Sequence, residues 1–252
     1  MTGPEVQSVA VWTEALGVVP VEVSVVGEGP PLLLLAPLGR DTAALAPLQA
    51  SLAGWRVWAV ALPGGGGTAM PARRMAPMAL VDWAEQLALE LGIRGCPVVG
   101  LGVGGWVALQ WALRHPRSVG RLCVVSPPVA PHVRLRGATL AARCRAVPGL
   151  AGRYLREVVP AAEVAALWRH LARREEEGAR FPVRLAAIFL ADHRRTPVAL
   201  SEALDLQLHG IKVVKLDGDD PCSTSVAAPL GEAIARFVSR TRGGSATRAT
   251  NG

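Results

Sequence analysis

Half of the 252 residues are hydrophobic and 19% are charged, which excludes a disordered chain and leaves ample material for the core of an α/β unit. Lysine and arginine number 27 against 20 acidic residues, a net charge of +7, but Lys212 and Lys215 are the only lysines, an arginine bias that a GC-rich genome produces. Because no zinc-finger spacing and no aromatic RNA-binding pattern accompanies the arginines, we expect no nucleic-acid partner.

Predicted strands alternate with predicted helices along the first half of the chain. Residues 19–27 alternate apolar and polar positions, and the later predicted strands are short, continuous apolar runs. The strands are predicted at 19–27, 31–36, 56–62, 96–101 and 121–126, and the helices at 42–52, 76–91 and 104–114. This alternation predicts an α/β fold with a mostly parallel sheet and helices on both faces.

The alternation of predicted strands and helices stops after Pro127. Residues 128–182 are rich in Arg and Ala and mainly helical, so they are predicted to form a helical lid. The alternation resumes with strands at 183–191 and 211–216 and helices at 198–208 and 225–240. We therefore expect a core from residues 1–127 and 183–240, and a disordered tail at 241–252. Residues 127–195 hold 13 arginines and 6 acids, which indicates either an anionic substrate or a solvated arginine surface.

Targeting and cofactor signals are missing from the sequence. The first residues lack a basic region followed by an apolar stretch, so we expect a cytoplasmic protein. Residues 95–113 carry no charge, but five glycines in that stretch indicate strand, turn and buried helix, and no membrane partner is expected. The four cysteines are Cys96, Cys123, Cys144 and Cys222, and no C-x-x-C pair occurs among them, so neither a zinc site nor a redox dithiol is predicted. We expect no metal and no cofactor.

Residues 99–106, VGLGVGGW, turn a predicted strand sharply into a predicted helix. Three further segments flank this turn in order: PLLLLAPLGRD at 31–41, ALPGGGGT at 61–68 and LCVVSPP at 122–128. Together they resemble the α/β-hydrolase superfamily over nearly the whole chain. The resemblance implies a nucleophile elbow with its helix at 100–116 and an oxyanion hole, which is a pair of backbone N–H groups that binds a developing negative charge.

The side chains of the catalytic triad do not carry over with the resemblance. The tip of the elbow, where the family has serine, is Gly102. The family's acid position falls on His193, and the position of its histidine falls nearest Pro221. The backbone donors of the oxyanion hole, which need no particular side chain, match Leu38 and Val103. The sequence therefore predicts a triad-free member of the superfamily.

Other residues of the predicted loops admit two interpretations. Asp192 and His193 on one loop, with Asp219 or Asp220 on the other, would form an acid–base pair, or the aspartates form a solvated turn. Ser126 ends a strand at the same edge and is a candidate for substrate contact, or an ordinary turn residue.

The glycines at 100, 102 and 105 also satisfy a dinucleotide fingerprint. That fingerprint requires an acid after the next strand, but none occurs between Glu90 and Glu157.

The function that these patterns favour is proton transfer without a nucleophile, on a small natural-product or peptide-like substrate. Epimerisation, elimination and cyclisation fit this chemistry, and the chain is similar to triad-free members such as the peptide epimerases of bottromycin-type biosynthesis. The alternatives are a ligand-binding or scaffold protein without activity and a hydrolase with an unconventional nucleophile. The ligand is expected at the carboxyl ends of the strands, above Gly102 and below the lid. The oligomeric state is not predicted.

Overall fold

The computed structural model describes residues 4–72, 75–127, 166–167, 170–171, 173, 181–191, 212–218 and 220–239. Its strands are β1 (Glu5–Thr13), β2 (Gly17–Val26), β3 (Pro31–Leu35), β4 (Arg56–Val60), β5 (Pro97–Leu101), β6 (Arg121–Val125), β7 (Arg184–Ala191) and β8 (Lys212–Asp217). Its helices are α1 (Ala46–Ser51), preceded by a 3₁₀ turn at Ala43–Leu45, α2 (Ala79–Glu90), α3 (Val103–Arg114) and α4 (Thr224–Val238).

The strands form an eight-stranded sheet in the order β1-β2-β4-β3-β5-β6-β7-β8. β1 pairs with β2 and β2 with β4 in antiparallel fashion, whereas every pair from β4 to β8 is parallel. The predicted α/β class with a mostly parallel sheet is confirmed. Because parallel strands end at one edge, the loops after β3, β4, β5, β6, β7 and β8 all begin at the same side of the molecule.

Two apolar layers cover the two faces of the sheet. Alternate residues of one strand enter different layers: Leu33 and Leu35 pack with α2 and α3, while Leu32 and Leu34 pack with α1 and α4. Strands buried on both faces are continuous apolar runs, which is why the sequence identified them. Trp83 on α2 and Trp106 and Trp111 on α3 are fully buried in the first of these layers.

β1 is the strand that the sequence analysis missed. The predicted helix at 198–208 and most of the predicted lid, 128–182, lie outside the described residues, as does the predicted tail at 241–252. Within the lid range, Leu167 and Leu171 are buried against the α2–α3 layer. Among the described residues, no helix is long and apolar enough to span a membrane.

Candidate functional site

Gly102 is a sharp turn between β5 and α3. Its φ is 54° and its ψ is −121°, a combination that side chains of L-residues disfavour. Its N–H donates to the carbonyl of Val125 at 2.9 Å, and its own carbonyl accepts from the N–H of Gly105 at 2.9 Å. A Cβ placed at Gly102 would lie 3.5 Å from Cβ of Pro37, which is ordinary contact. The position thus has room for a side chain but carries none.

The neighbouring glycines are required by close backbone packing. A Cβ at Gly100 would lie 2.5 Å from the carbonyl oxygen of Gly104, and one at Gly104 would lie 2.6 Å from that of Ala36. Real Cβ atoms do not approach backbone so closely, so α3 can lie this near to β3 and β5 only with glycine at both positions. The glycine spacing is accounted for by the packing of the turn itself.

Two backbone N–H groups flank the turn at Gly102. In the loop after β3, Arg40 N–H donates to the carbonyl of Pro37 at 3.1 Å, and the turn between them contains Leu38 and Gly39, whose φ is 78°. Neither the N–H of Leu38 nor that of Val103 has a hydrogen-bond partner within the described ranges. Both residues are half-buried. Pro37, next to Leu38, is the side chain nearest to the Cβ position of Gly102.

The glycine run at 64–67 lets the loop after β4 lie directly on the loop after β3. A Cβ at Gly65 would lie 2.8 Å from the carbonyl oxygen of Arg40, and one at Gly66 would lie 2.6 Å from Cβ of Asp41. Side chains would separate the loops. The run therefore fixes the position of the segment that carries Leu38.

Glu22 on β2 secures the same two loops, a role for which no sequence pattern provides a signal. Its carboxylate accepts a hydrogen bond from the hydroxyl of Thr42, and its N–H donates to Oγ1 of Thr68 at 3.1 Å. A Cβ at Gly67 would overlap that carboxylate. Glu22 is half-buried, so it acts as a fixed acceptor that ties the loops to the sheet.

Asp220, in the loop after β8, is held by two partners. Its Oδ2 lies 2.5 Å from Nη2 of Arg40, and its Oδ1 accepts from the N–H of Cys222 at 3.0 Å. The ion pair joins the loop after β3 to the loop after β8. Arg40 is a further residue that sequence analysis missed, because its partner is 180 positions away.

Ser126, at the end of β6, is the one non-glycine residue of the described ranges with positive φ, at 43°. Its N–H donates to the carbonyl of Ile188 at 2.8 Å, and its Oγ accepts from the N–H of Leu190 at 3.2 Å. These bonds hold the end of β6 against β7. The hydroxyl hydrogen is left to donate to another group.

Comparisons with known proteins identify the fold. No protein-family model matches the sequence, and no curated protein matches it. Among solved structures, the chain is similar to a variant of haloalkane dehalogenase DbeA from Bradyrhizobium elkanii, with a TM-score of 0.71, 13% identity, and 94% of this chain and 97% of that chain covered. It is also similar to carboxylesterase CesB from Bacillus subtilis, with a TM-score of 0.66, 16% identity, and 93% and 92% covered. The thioesterase domain from the curacin biosynthetic pathway gives a TM-score of 0.64, 15% identity, and 91% and 99% covered.

This chain has the α/β-hydrolase fold. Sequence identities this low indicate a shared fold but not a shared activity, because one fold supports many kinds of chemistry. In an α/β-hydrolase fold the turn between β5 and α3 is the nucleophile elbow. Gly102 lies at the tip of this turn. Its role, and those of Leu38, Val103 and Ser126, stay predictions.

The remaining predicted site residues lie elsewhere or outside the described ranges. Asp192, His193 and Asp219 lie outside them. In the described part of the chain, no group of His, Cys, Asp and Glu could hold a metal ion. A cleft of about 350 Å³ lies between the start of α2 and the last turn of α3, and none of the predicted site residues lines it; its lining is Met78, Gln110, Leu113, Arg114 and His170.

Two of the cysteines, Cys96 and Cys123, are buried and unreactive. Burial raises the pKa of the Cys96 thiol and of the Cys123 thiol to about 12, from an ordinary value of 9.0. Both side chains pack inside the sheet layers, so neither is available as a nucleophile. Cys222, next to the Asp220 loop, is half-buried and is not in a disulfide.

Proposed function

We propose that the chain is a non-hydrolytic enzyme on the α/β-hydrolase fold, one that moves a proton on a carbonyl compound. Its substrate is a small natural-product or peptide-like molecule, and its reaction is an epimerisation, elimination or cyclisation. The observation that carries the proposal is the elbow tip. Gly102 offers no nucleophile. It is flanked by the N–H groups of Leu38 and Val103, neither of which has a hydrogen-bond partner among the described residues.

This arrangement suits an enolate better than an acyl-enzyme. A base removes the proton on the carbon next to the carbonyl group, and the electron pair of that C–H bond moves onto the carbonyl oxygen. Backbone N–H groups aimed at that oxygen stabilise its negative charge without moving, which is the usual source of such rate enhancement. Return of a proton to the opposite face gives the epimer. With no side-chain oxygen at position 102, no bond to the carbonyl carbon forms.

We propose His193 as the base, supported by Asp192 or Asp219. A neutral imidazole titrates close to neutral pH, so it can accept the substrate proton on one face and release it to solvent. For epimerisation, water delivers the new proton to the opposite face. Asp220 is the weaker candidate, since both of its oxygens are already engaged by Arg40 and by the N–H of Cys222. This engagement favours a second candidate function, a ligand-binding protein without activity, in which the loops are structural.

Solvent exchange distinguishes these functions. Ketones, thioesters of N-acyl amino acids and short peptides are incubated with the protein in deuterated water, and NMR follows deuterium uptake next to each carbonyl group. The proposal expects uptake with the native chain and none with His193→Ala, which should still bind the same compound. Gly102→Trp should lose both binding and uptake, because the indole would fill the space at the tip.

Each contrary outcome points to another function. Binding of a panel compound without exchange, at an affinity that His193→Ala leaves unchanged, would support the ligand-binding alternative. Labelling of the native chain by a fluorophosphonate probe would support a hydrolase with an unconventional nucleophile. Unchanged binding by Gly102→Trp would place the site away from the elbow.

A further inference from the structure

The outer edge of β1 is an unpaired strand edge. β1 pairs one-to-one with β2 over nine positions, from Glu5 opposite Val25 to Thr13 opposite Gly17, with no bulge. Among the described residues, no strand pairs with its other side. Backbone N–H and C=O groups along that side are therefore directed away from the sheet, where they form a template for another strand.

The edge lacks the features that normally prevent strand addition. Native sheets protect their edges with proline, lysine, bulges or very short strands. β1 has the sequence EVQSVAVWT, with no proline, no lysine and no arginine, and its one charged residue, Glu5, is its first. Eight consecutive uncharged residues, Val6–Thr13, remain open to pairing.

One face of the β1–β2 hairpin exposes three large apolar side chains. Val6 and Trp12 on β1 are each 60% exposed, and Val18, directly opposite Trp12 on β2, is 62% exposed. Val11 and Thr13, whose side chains point to the other face, are buried, and α2 packs against β1. Large apolar side chains this exposed on one face indicate a contact surface.

We propose that this edge joins two copies of the chain. The β1 strands would run antiparallel about a two-fold axis at Val9, so that the two sheets become one continuous sheet. Val6 and Trp12 lie three residues on either side of Val9 and on the same face of the strand. The axis therefore places Val6 of each copy opposite Trp12 of the second copy, an aromatic–aliphatic cross-strand pair that stabilises sheets.

Charge favours a second copy over a basic partner segment. A basic segment would need acidic groups along the edge, whereas Val6–Thr13 has none, and another β1 strand is itself uncharged over this length. The acids lie at the ends, because Glu5 would be opposite Thr13 and close to Glu14 of the second copy. Screening of these exposed charges predicts that salt strengthens the dimer.

A charge-swap experiment on the full chain tests the proposed register. Light scattering of the native chain across a dilution series should give twice the 26.4 kDa mass of one chain. Trp12→Glu and Val6→Lys, both at exposed positions, should each weaken dimerisation by about tenfold or more, because each leaves an unpaired charge at the interface. The double variant should recover most of the affinity, since the new charges face each other across the axis. Leu89→Glu, at an exposed position on α2, is the control and should change nothing.

Disulfide trapping provides a second readout. Under oxidation, Val9→Cys should cross-link two chains, because a residue on the axis is opposite itself at a distance that a disulfide spans. Gln7→Cys is the matched control: its two copies would be about 14 Å apart along the strands, beyond that reach. The proposal is overturned if the native chain stays monomeric throughout the dilution series or if Trp12→Glu leaves the dimer intact. It is also overturned if the double variant dimerises no more tightly than the single variants, or if positions 7 and 9 cross-link equally.

Discussion

The guanidinium group of Arg40 lies 2.5 Å from the carboxylate of Asp220, although 180 positions separate the two residues. Arg40 belongs to the loop after β3, which also carries Leu38, and Asp220 belongs to the loop after β8. Their ion pair therefore spans two of the loops that begin at the carboxyl edge of the sheet. It gives Asp220 a structural partner and fixes the loop that bears one of the proposed backbone donors.

We expect this ion pair to contribute modestly to stability. A double-mutant cycle of Arg40→Ala and Asp220→Ala, measured by urea unfolding, should give a coupling free energy of about 0.2–1 kcal/mol that falls with added salt, since both side chains are partly exposed. Asp220→Ala should cost more than Arg40→Ala, because the N–H of Cys222 also loses its acceptor. Arg236→Ala, which breaks an exposed pair with Glu232, is the control and should cost almost nothing. A zero coupling at low salt would contradict the ion pair.

Glu85 should contribute more to stability than the Arg40–Asp220 ion pair, because its carboxylate is the acceptor of a mostly buried hydrogen-bond network. Its carboxylate accepts from Nε1 of Trp111 at 2.7 Å and from the hydroxyl of Ser118 at 2.9 Å, with 14% of the side chain exposed. Glu85→Ala leaves the buried indole N–H of Trp111 without this partner, so the free energy of unfolding of the variant should be lower than that of the native chain by about 1–3 kcal/mol. Glu85→Gln keeps an acceptor oxygen, so its free energy of unfolding should fall by less. Asp82→Ala, on the same helix but half exposed, should change stability by under about 0.5 kcal/mol.

The buried thiols predict loss of stability at high pH. Burial raises the pKa of Cys123 in the folded chain to about 12, while the unfolded thiol ionises near 9.0. Between these pH values the folded state keeps a proton that the unfolded state releases. The contribution of the thiol to the free energy of unfolding is therefore fully present below pH 9. Above pH 9 it falls by about 1.4 kcal/mol per pH unit for each such thiol. Cys123→Ala should therefore be less stable than the native chain at neutral pH, and that deficit should shrink above pH 9. A deficit that does not change with pH would contradict the raised pKa.

Periodicity predicted the buried parallel strands because their burial on both faces leaves a continuous apolar run in the sequence. β1 was missed for the opposite reason. Its exposed face carries Val6, Ala10 and Trp12, so the strand lacks the apolar–polar alternation that marks a half-buried strand. The resemblance located the sharp turn between β5 and α3. Close packing at Gly100 and Gly104 requires glycine, so the turn is visible in the sequence as a pattern of glycines.

Long-range partners of the candidate site could not be predicted in the same way. Nothing in the local sequence pairs Arg40 with Asp220, or Glu22 with Thr42 and Thr68, because each pair is formed only when the sheet brings separate loops together. The sequence indicated which loops meet at the carboxyl edge. It did not indicate that Asp220 would be occupied by an ion pair.

The elbow glycines should respond very differently to substitution. Gly102→Ala adds a Cβ in ordinary contact, so its cost is the strained φ and ψ alone, about 1–3 kcal/mol in the free energy of unfolding. Gly104→Ala places a Cβ 2.6 Å from the carbonyl oxygen of Ala36, and overpacking against backbone should cost about 3 kcal/mol or more. Urea unfolding of the two variants measures the difference. Equal losses would mean that α3 does not pack on β3 as closely as described.

Gly102→Ser restores a hydroxyl at the elbow tip, and we expect a folded protein without esterase activity. The site accepts the Cβ, 3.5 Å from Pro37, but a serine hydroxyl needs a general base to become nucleophilic. The position that the resemblance assigns to that histidine is Pro221, and Asp220 beside it is held by Arg40. Hydrolysis of p-nitrophenyl esters and labelling by a fluorophosphonate probe should both stay at the level of Gly102→Ala, which matches the backbone strain without the hydroxyl. Labelling at position 102 in the serine variant alone would show that a base reaches the hydroxyl group of residue 102, and would contradict this prediction.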